Sequence, residues 1–325
     1  MCRRGEARGR LRALRACALA ACVLVGAAAS RARANVSFER GDADRDGAVA
    51  LTDAIFLLNF LFLGGPAPQC LVLADADDDD ELNITDGVFI LGHLFLGTQA
   101  PPPLTSEEDA TCRAECGRLV YESPDPGGNG FACATCHGIV PDAESELLRP
   151  GSSLHDAVRR PSYKLGTFTE LRDAANTCRV YWMATTPWEE GDQGYLDLRA
   201  FLESVAPEGP APPVEYDVVP PAADVPPGSA DDGCALFHRS CVICHGAGAA
   251  GTALAPSLVA FPLGAEFIRL KVRQSGPPDS IYEDLIGGFM PFWSAQKLTD
   301  AQVEDLVAYL SSRPVAECVP AAGDP

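Results

Sequence analysis

The chain has 325 residues, 47% of them hydrophobic, with 25 basic against 45 acidic side chains and a formal net charge of −20. So acidic a balance excludes nucleic acid as a partner, because binding to phosphates is driven by clustered Lys and Arg that release counterions. The length is enough for several small domains, and the chain is best taken piece by piece.

Arg3, Arg4, Arg8, Arg10, Arg12 and Arg15 precede an apolar run of 14 residues, Ala16 to Ala29, and Ala32-Arg33-Ala34 offers an A-x-A cleavage site. This is the pattern of a secretory signal peptide over residues 1–34. The run is too short to span a bilayer, which takes about 20 apolar residues. Leu19-Ala20-Ala21-Cys22 is an alternative lipoprotein site that would leave a lipidated Cys22, but only six residues lie between Arg15 and Cys22, so cleavage near Ala34 is preferred. Loss of residues 1–34 removes eight arginines and one glutamate, leaving 17 basic and 44 acidic side chains and a charge of about −27. The mature chain is expected to be exported, periplasmic or extracellular, with no transmembrane helix.

Residues 35–100 contain an internal repeat with a period of 33 residues. Asp42, Asp44, Asp46 and Asp53 align with Asp75, Asp77, Asp79 and Asp86, and each set is followed by an apolar helix, AIFLLNFLFLG against GVFILGHLFLG. Carboxylates at loop positions 1, 3, 5 and 12 supply the hard oxygen ligands of an EF-hand-like calcium loop. Two bound Ca2+ are expected, since eight carboxylates in two short loops repel one another unless cations neutralise them. Asp at position 12, and no helix before the loop, make the pair resemble the dockerin type I repeat. That resemblance implies a cohesin-like or surface scaffold partner. Asp80 stands where the sharp turn usually has Gly, a position that Asp tolerates better than most residues. His93 is read as a helix-surface or interhelical contact.

Ala100-Pro101-Pro102-Pro103 leads into residues 104–205, and a tract with eight prolines, 206–229, separates these from residues 230–325. The tract should be extended and loosely packed unless it wraps along a surface. Each flanking segment holds one CxxCH motif, Cys133-Ala134-Thr135-Cys136-His137 and Cys241-Val242-Ile243-Cys244-His245. Two thiols a helical turn apart can form thioethers with haem vinyl groups, and the adjacent His can bind the iron. A CxxC can also be a redox dithiol or half a zinc site, but here His follows both. Apart from Met1, the chain's methionines are Met183, 46 residues after His137, and Met290, 45 residues after His245. Two covalent haem c groups with distal thioethers are the expectation. Helices are expected at Gly117–Tyr121 and Gly233–Phe237 before the motifs, and at Tyr195–Ser204 and Leu298–Ser312 beyond the methionines.

These features resemble the class I cytochrome c family twice over, and the fold class expected is all-α: a dockerin-like calcium-loop/helix pair followed by two cytochrome c-like helical haem domains. In the second, Ala255-Pro256-Ser257-Leu258 resembles the family's Gly-Pro-x-Leu, which implies that the Pro256 carbonyl orients His245. Gly288-Phe289-Met290-Pro291 resembles its methionine loop. In the first, Asn176-Thr177-Cys178 resembles the Asn-x-Cys segment of dihaem thiosulfate dehydrogenases, which implies Cys178 as distal ligand. Matched spacing favours Met183 and local resemblance favours Cys178. Cys234 and Cys318 are expected to form a disulfide, while Cys70, Cys112, Cys116 and Cys178 leave their pairing open. His155 and His238 are weaker distal candidates.

The expected function is electron transfer with redox partner proteins, docked through the calcium module. The alternative is oxidation of a small sulfur anion such as thiosulfate, with Arg149, Arg159, Arg160, Arg172 and Arg179 as candidate anion-binding groups.

Overall fold

The computed structural model divides the chain into two units, Met1–Ser37 and Phe38–Pro325. It describes residues 38–222, 224–259, 262–275 and 290–312, so the expected signal peptide with Cys22, and also Gly288, Phe289 and Cys318, lie outside the described residues. Among those described the architecture is all-α. Strands are absent, and a single bridge pairs Tyr163 with Phe168. No described helix is long and apolar enough to cross a membrane.

Helices α1 (Leu51–Leu63) and α3 (Ile84–Leu96) follow the two acidic loops and pack on each other through Ala54, Leu57 and Ile90. Both end at a left-handed glycine, Gly64 (φ 72°) and Gly97 (φ 66°). A one-turn helix, α2 (Leu71–Ala74), precedes the second loop, which corrects the expectation that neither loop has a helix before it. Cys70 at its N-terminus is bonded to Cys112 on α4 (Ser106–Glu122). This disulfide resolves part of the open pairing and ties the repeat to the next segment. Helix α4 starts at a capping box, with Glu108 N donating to Thr105 Oγ1 (3.2 Å) and Thr105 N to Glu108 Oε2 (2.7 Å).

Each motif-bearing segment is built on one pair of crossed helices. In the first, α4 crosses the helix Gln193–Val205; in the second, Ala230–Ser240 crosses Asp300–Ser311. The crossings use the same device. A Cβ on Gly117 would lie 1.9 Å from Asp197 O, and one on Gly233 would lie 1.9 Å from Asp305 O, so only glycine allows the approach. Four residues on, Tyr121 stacks on Phe201 (5.6 Å between centroids) and Phe237 on Tyr309 (5.5 Å). The four helices expected from sequence are therefore present, the first three longer than their signals and the last, Asp300–Ser311, shorter than Leu298–Ser312. Between the members of each pair lie α5 (Cys133–Cys136), α6 (Leu171–Thr177) and a π-helix (Cys178–Trp182) in the first segment. The second has α9 (Val242–His245) and α10 (Ala265–Gln274). In chain order Gln193–Val205 is α7, Ala230–Ser240 is α8 and Asp300–Ser311 is α11.

The proline-rich tract wraps along the surface of both segments. Ala211 N donates to Arg159 O (3.1 Å), Ala295 N donates to Asp217 O (2.7 Å), and Val218 is buried against Phe292. The segments also touch directly, through Leu148 N to Arg239 O (2.7 Å) and the Lys297–Asp142 ion pair. Cys234 is disulfide-bonded, and its expected partner Cys318 lies outside the described residues.

Candidate haem and calcium sites

Cys133 and Cys136 open and close one turn of helix, so their thiols share a face, and His137 N closes the turn on Cys133 O (2.9 Å). The imidazole is fixed through Nδ1, which is 2.7 Å from Ser152 O. A carbonyl can only accept, so Nδ1 carries the proton and Nε2 keeps its lone pair for a metal. A Cβ on Gly151 would lie 2.3 Å from His137 Cε1, so glycine there lets the backbone press against the ring. The second motif repeats the arrangement. His245 N bonds Cys241 O (2.9 Å), and His245 Nδ1 is 3.1 Å from Pro256 O. Burial pushes the His245 imidazole down, against the opposing effect of that carbonyl, which keeps it neutral.

A cavity opens beside His137, lined by Cys133, Cys136, Lys164, Cys178 and Met183. Cys178 begins the π-helix, an element frequent at functional sites, and its thiol hydrogen-bonds with His137 and with Lys164 Nζ (3.4 Å). Burial alone would push this thiol up, but the Lys164 ammonium and the His137 imidazole overcome burial and hold it at about 6. The attachment thiols behave oppositely. Burial raises Cys133 to about 12 and Cys241 to about 11, and raises Cys136 and Cys244 as well. Cys116 is buried, unpaired and likewise raised, to about 11. Cys178 is thus the one described cysteine held low enough to be a thiolate at neutral pH. Met183 is buried in the same wall, its backbone bonded to Cys178 O and Asn129 N.

The five arginines proposed as anion ligands all have other partners, and of the five Arg160 and Arg179 line the cavity. Arg149 donates to Ala134 O, Arg159 to Pro207 O, Arg160 to Asp156, Arg172 to Asp173 and Arg179 to Asp125. The cation that hydrogen-bonds Cys178 is Lys164, which no motif singles out. It sits in a tight loop where Lys164 and Leu165 both take positive φ (50° and 56°). His155 Nδ1 is 3.0 Å from Ser153 Oγ.

Met290 packs against the core of the second segment. The chain just after it is anchored by Arg273 on α10, fully buried, which donates to Trp293 O (2.8 Å), Leu298 O (2.6 Å) and Asp300 Oδ1 (2.9 Å). Arg273→Met would strand two buried carbonyls, each bound to a charged donor. The expected loss is about 3 kcal/mol or more, measured by denaturant unfolding of the full chain.

The two acidic loops share most of their hydrogen bonds. Asp42 accepts from Asp46 N and Gly47 N as Asp75 does from Asp79 N and Asp80 N, and Asp53 accepts from Ala50 N as Asp86 does from Asn83 N. Positions 4 and 6 take positive φ in both, Arg45 and Gly47 in one, Asp78 and Asp80 in the other. Asp80 thus adopts the glycine-like turn. Asp42, Asp44 and Asp46 form one group of converging carboxylates and Asp75, Asp77 and Asp86 a second. Burial first, then neighbouring carboxylates, raise the pKa of Asp42, Asp53 and Asp86.

Residues 228–310 match the family described as "Cytochrome C oxidase, cbb3-type, subunit III". That segment includes the second CxxCH motif and Met290, and it is similar to a cytochrome c domain, with the electron transfer and covalent haem this implies. Among solved structures, the as-isolated form of thiosulfate dehydrogenase (TsdBA) from Marichromatium purpuratum is 18% identical, with a TM-score of 0.36 over 79% of this chain and 59% of that one. The chain spans about three fifths of that protein's length. No curated protein matches the chain.

Proposed function

We propose that the chain is an exported dihaem c-type cytochrome that passes electrons between partner proteins. The observation that carries this reading is the doubling of one arrangement within a compact unit: two thiols on one face of a helical turn, followed by an imidazole whose Nδ1 is committed to a carbonyl. The donor set fits haem c at both positions. Cys133, Cys136 and His137 would hold the first group and Cys241, Cys244 and His245 the second, with Cys178 and Met290 as distal ligands. Haem c supplies one-electron chemistry at iron. The protein fixes each imidazole tautomer, excludes water with apolar walls and sets one distal donor as a thiolate and the other as a thioether. The two motif-bearing segments touch directly, through Leu148 N to Arg239 O and the Lys297–Asp142 ion pair, as a relay requires. Mass spectrometry of the exported protein should show two haems per chain, and an alkaline pyridine spectrum the c-type band. Zero or one haem would reject the reading.

The same reading gives residues 35–100 two Ca2+, held by Asp42, Asp44, Asp46 and Asp53 and by Asp75, Asp77, Asp79 and Asp86. It assigns residues 104–205 and 230–325 to the two haem modules. A partner surface is supported by the outward faces of α1 and α3. Ile55, Phe62 and Leu63 are exposed there, and so are their counterparts 33 residues on, Val88, Phe95 and Leu96. An exposed apolar area of this kind on a monomer fits a scaffold-binding face.

A second reading, oxidation of a small sulfur anion at the first site, is favoured by Lys164 beside Cys178. A cation within reach of a soft thiolate gives such an anion a place to bind. Thiosulfate-dependent reduction of the purified protein would support it. No reduction at millimolar thiosulfate leaves the relay alone.

A further inference from the structure

The cavity beside His137 is closed by residues from outside its own segment. Phe292, two residues beyond Met290, stands in its wall with Pro291 and Tyr216. Phe292 and Val218 are buried together, with Trp182 and Tyr216 packed against them. The Phe292 ring lies 6.3 Å from that of Trp182 and meets that of Tyr216 edge-on at 5.8 Å. Each neighbour is tied to a different part of the first site. Trp182 ends the π-helix that begins at Cys178, and its carbonyl accepts from Asn129 Nδ2 (2.7 Å). The Tyr216 hydroxyl is 3.3 Å from Ser152 Oγ, and the carbonyl of that same Ser152 receives His137 Nδ1. Phe292 itself is held in step with Met290 by Trp293 N, which donates to Val272 O (2.7 Å), and by Arg273.

We infer that Phe292 is a positioning residue shared by the two iron sites, so that the methionine loop of the second sets the ligand geometry of the first. Close-packed interiors transmit displacement rather than absorb it, and a ring wedged between the π-helix and Tyr216 leaves neither free to move alone. The inference rests on the dihaem reading and deepens it, by making the two irons coupled rather than independent.

The test uses the full-length holoprotein. Phe292→Leu keeps apolar bulk but removes the ring, and Phe292→Tyr restores the ring. In Phe292→Leu the distribution of one electron between the two haems should change about tenfold, equivalent to about 59 mV between the couples, with shifted electron paramagnetic resonance g-values at the first iron. Phe292→Tyr should recover both. Tyr216→Phe, which removes only the hydroxyl contact to Ser152, should shift the first haem's potential and leave the second unchanged, and Phe292→Met takes the place of Phe292→Leu if that variant does not fold. Unchanged potential and g-values at the first haem in both variants would overturn the inference. So would a lowered melting temperature with both potentials unchanged. Failure of the underlying reading is distinct, since the unsubstituted protein would then carry fewer than two haems by mass.

Discussion

Cys178→Ala should convert the first iron from low-spin to high-spin and raise its potential, while Met183→Ala leaves its ligation unchanged. A thiolate donor stabilises ferric iron by its charge, so its loss favours the ferrous form. Three observations converge on Cys178. The Cys70–Cys112 disulfide removes its most available partners, and buried Cys116 stays a neutral thiol. Cys178 lines the same cavity as His137. The Lys164 ammonium offsets the cost of burying a charge there, which an isolated thiolate could not meet. Electron paramagnetic resonance on both variants reads the result, because thiolate and thioether ligation give different g-values. If Met183→Ala opens the first iron and Cys178→Ala costs only stability, both irons carry thioethers and the sulfur-anion reading falls with the thiolate. In either case Met290→Ala should open the second iron and lower its potential.

The main helices were legible because their signals are local. Apolar spacing, a Gly four residues before an aromatic, and capping residues such as Thr105 with Glu108 all act within a turn or two. The Pro256 contact was legible through a short motif. Its counterpart Ser152 was not, because Pro150-Gly151-Ser152 reaches His137 with a different residue and the interaction is through backbone, which leaves little trace in side-chain identity. Lys164 was hidden for another reason: two non-glycine residues at positive φ form its loop, and turn chemistry gives no warning of that. The burial of Arg273 and Asp197 had no local signal, since it is set by long-range partners. The proline-rich tract announced an extended chain correctly. It could not announce that Tyr216 and Val218 would serve as wedges between two segments, because the pockets they fill are made by Trp182 and Phe292, which are distant in sequence.

Removing calcium should melt helix in residues 35–100 and also lower the stability of the first haem segment. The first part follows from electrostatics. Buried Asp42, Asp53 and Asp86 resist ionisation, and a divalent cation converts mutual repulsion into shared coordination. Metal binding is then folding free energy, about 2.7 kcal/mol at a hundredfold excess over Kd. The second part follows from how the loops are wired. Arg45, at position 4 of the first loop, reaches buried Asp197 on α7 (3.4 Å), where Arg113 of α4 and Gln193 also converge. Buried Arg40 donates to Asp75 O (3.1 Å), pairs with Asp78 of the second loop (2.7 Å), and extends to Glu108 of α4. Both loops therefore hold the crossed helices that frame the first haem site. Chelation of the full chain, followed by circular dichroism and by absorbance at the haem, should show one coupled transition at lower temperature. Asp197→Asn should weaken that coupling while leaving calcium uptake intact. An unchanged melting profile after chelation, with no calcium uptake at millimolar metal by calorimetry, would leave the acidic loops as solvated turns. The repeat would then need some other reason to keep the same carboxylates in the same bonds twice, 33 residues apart.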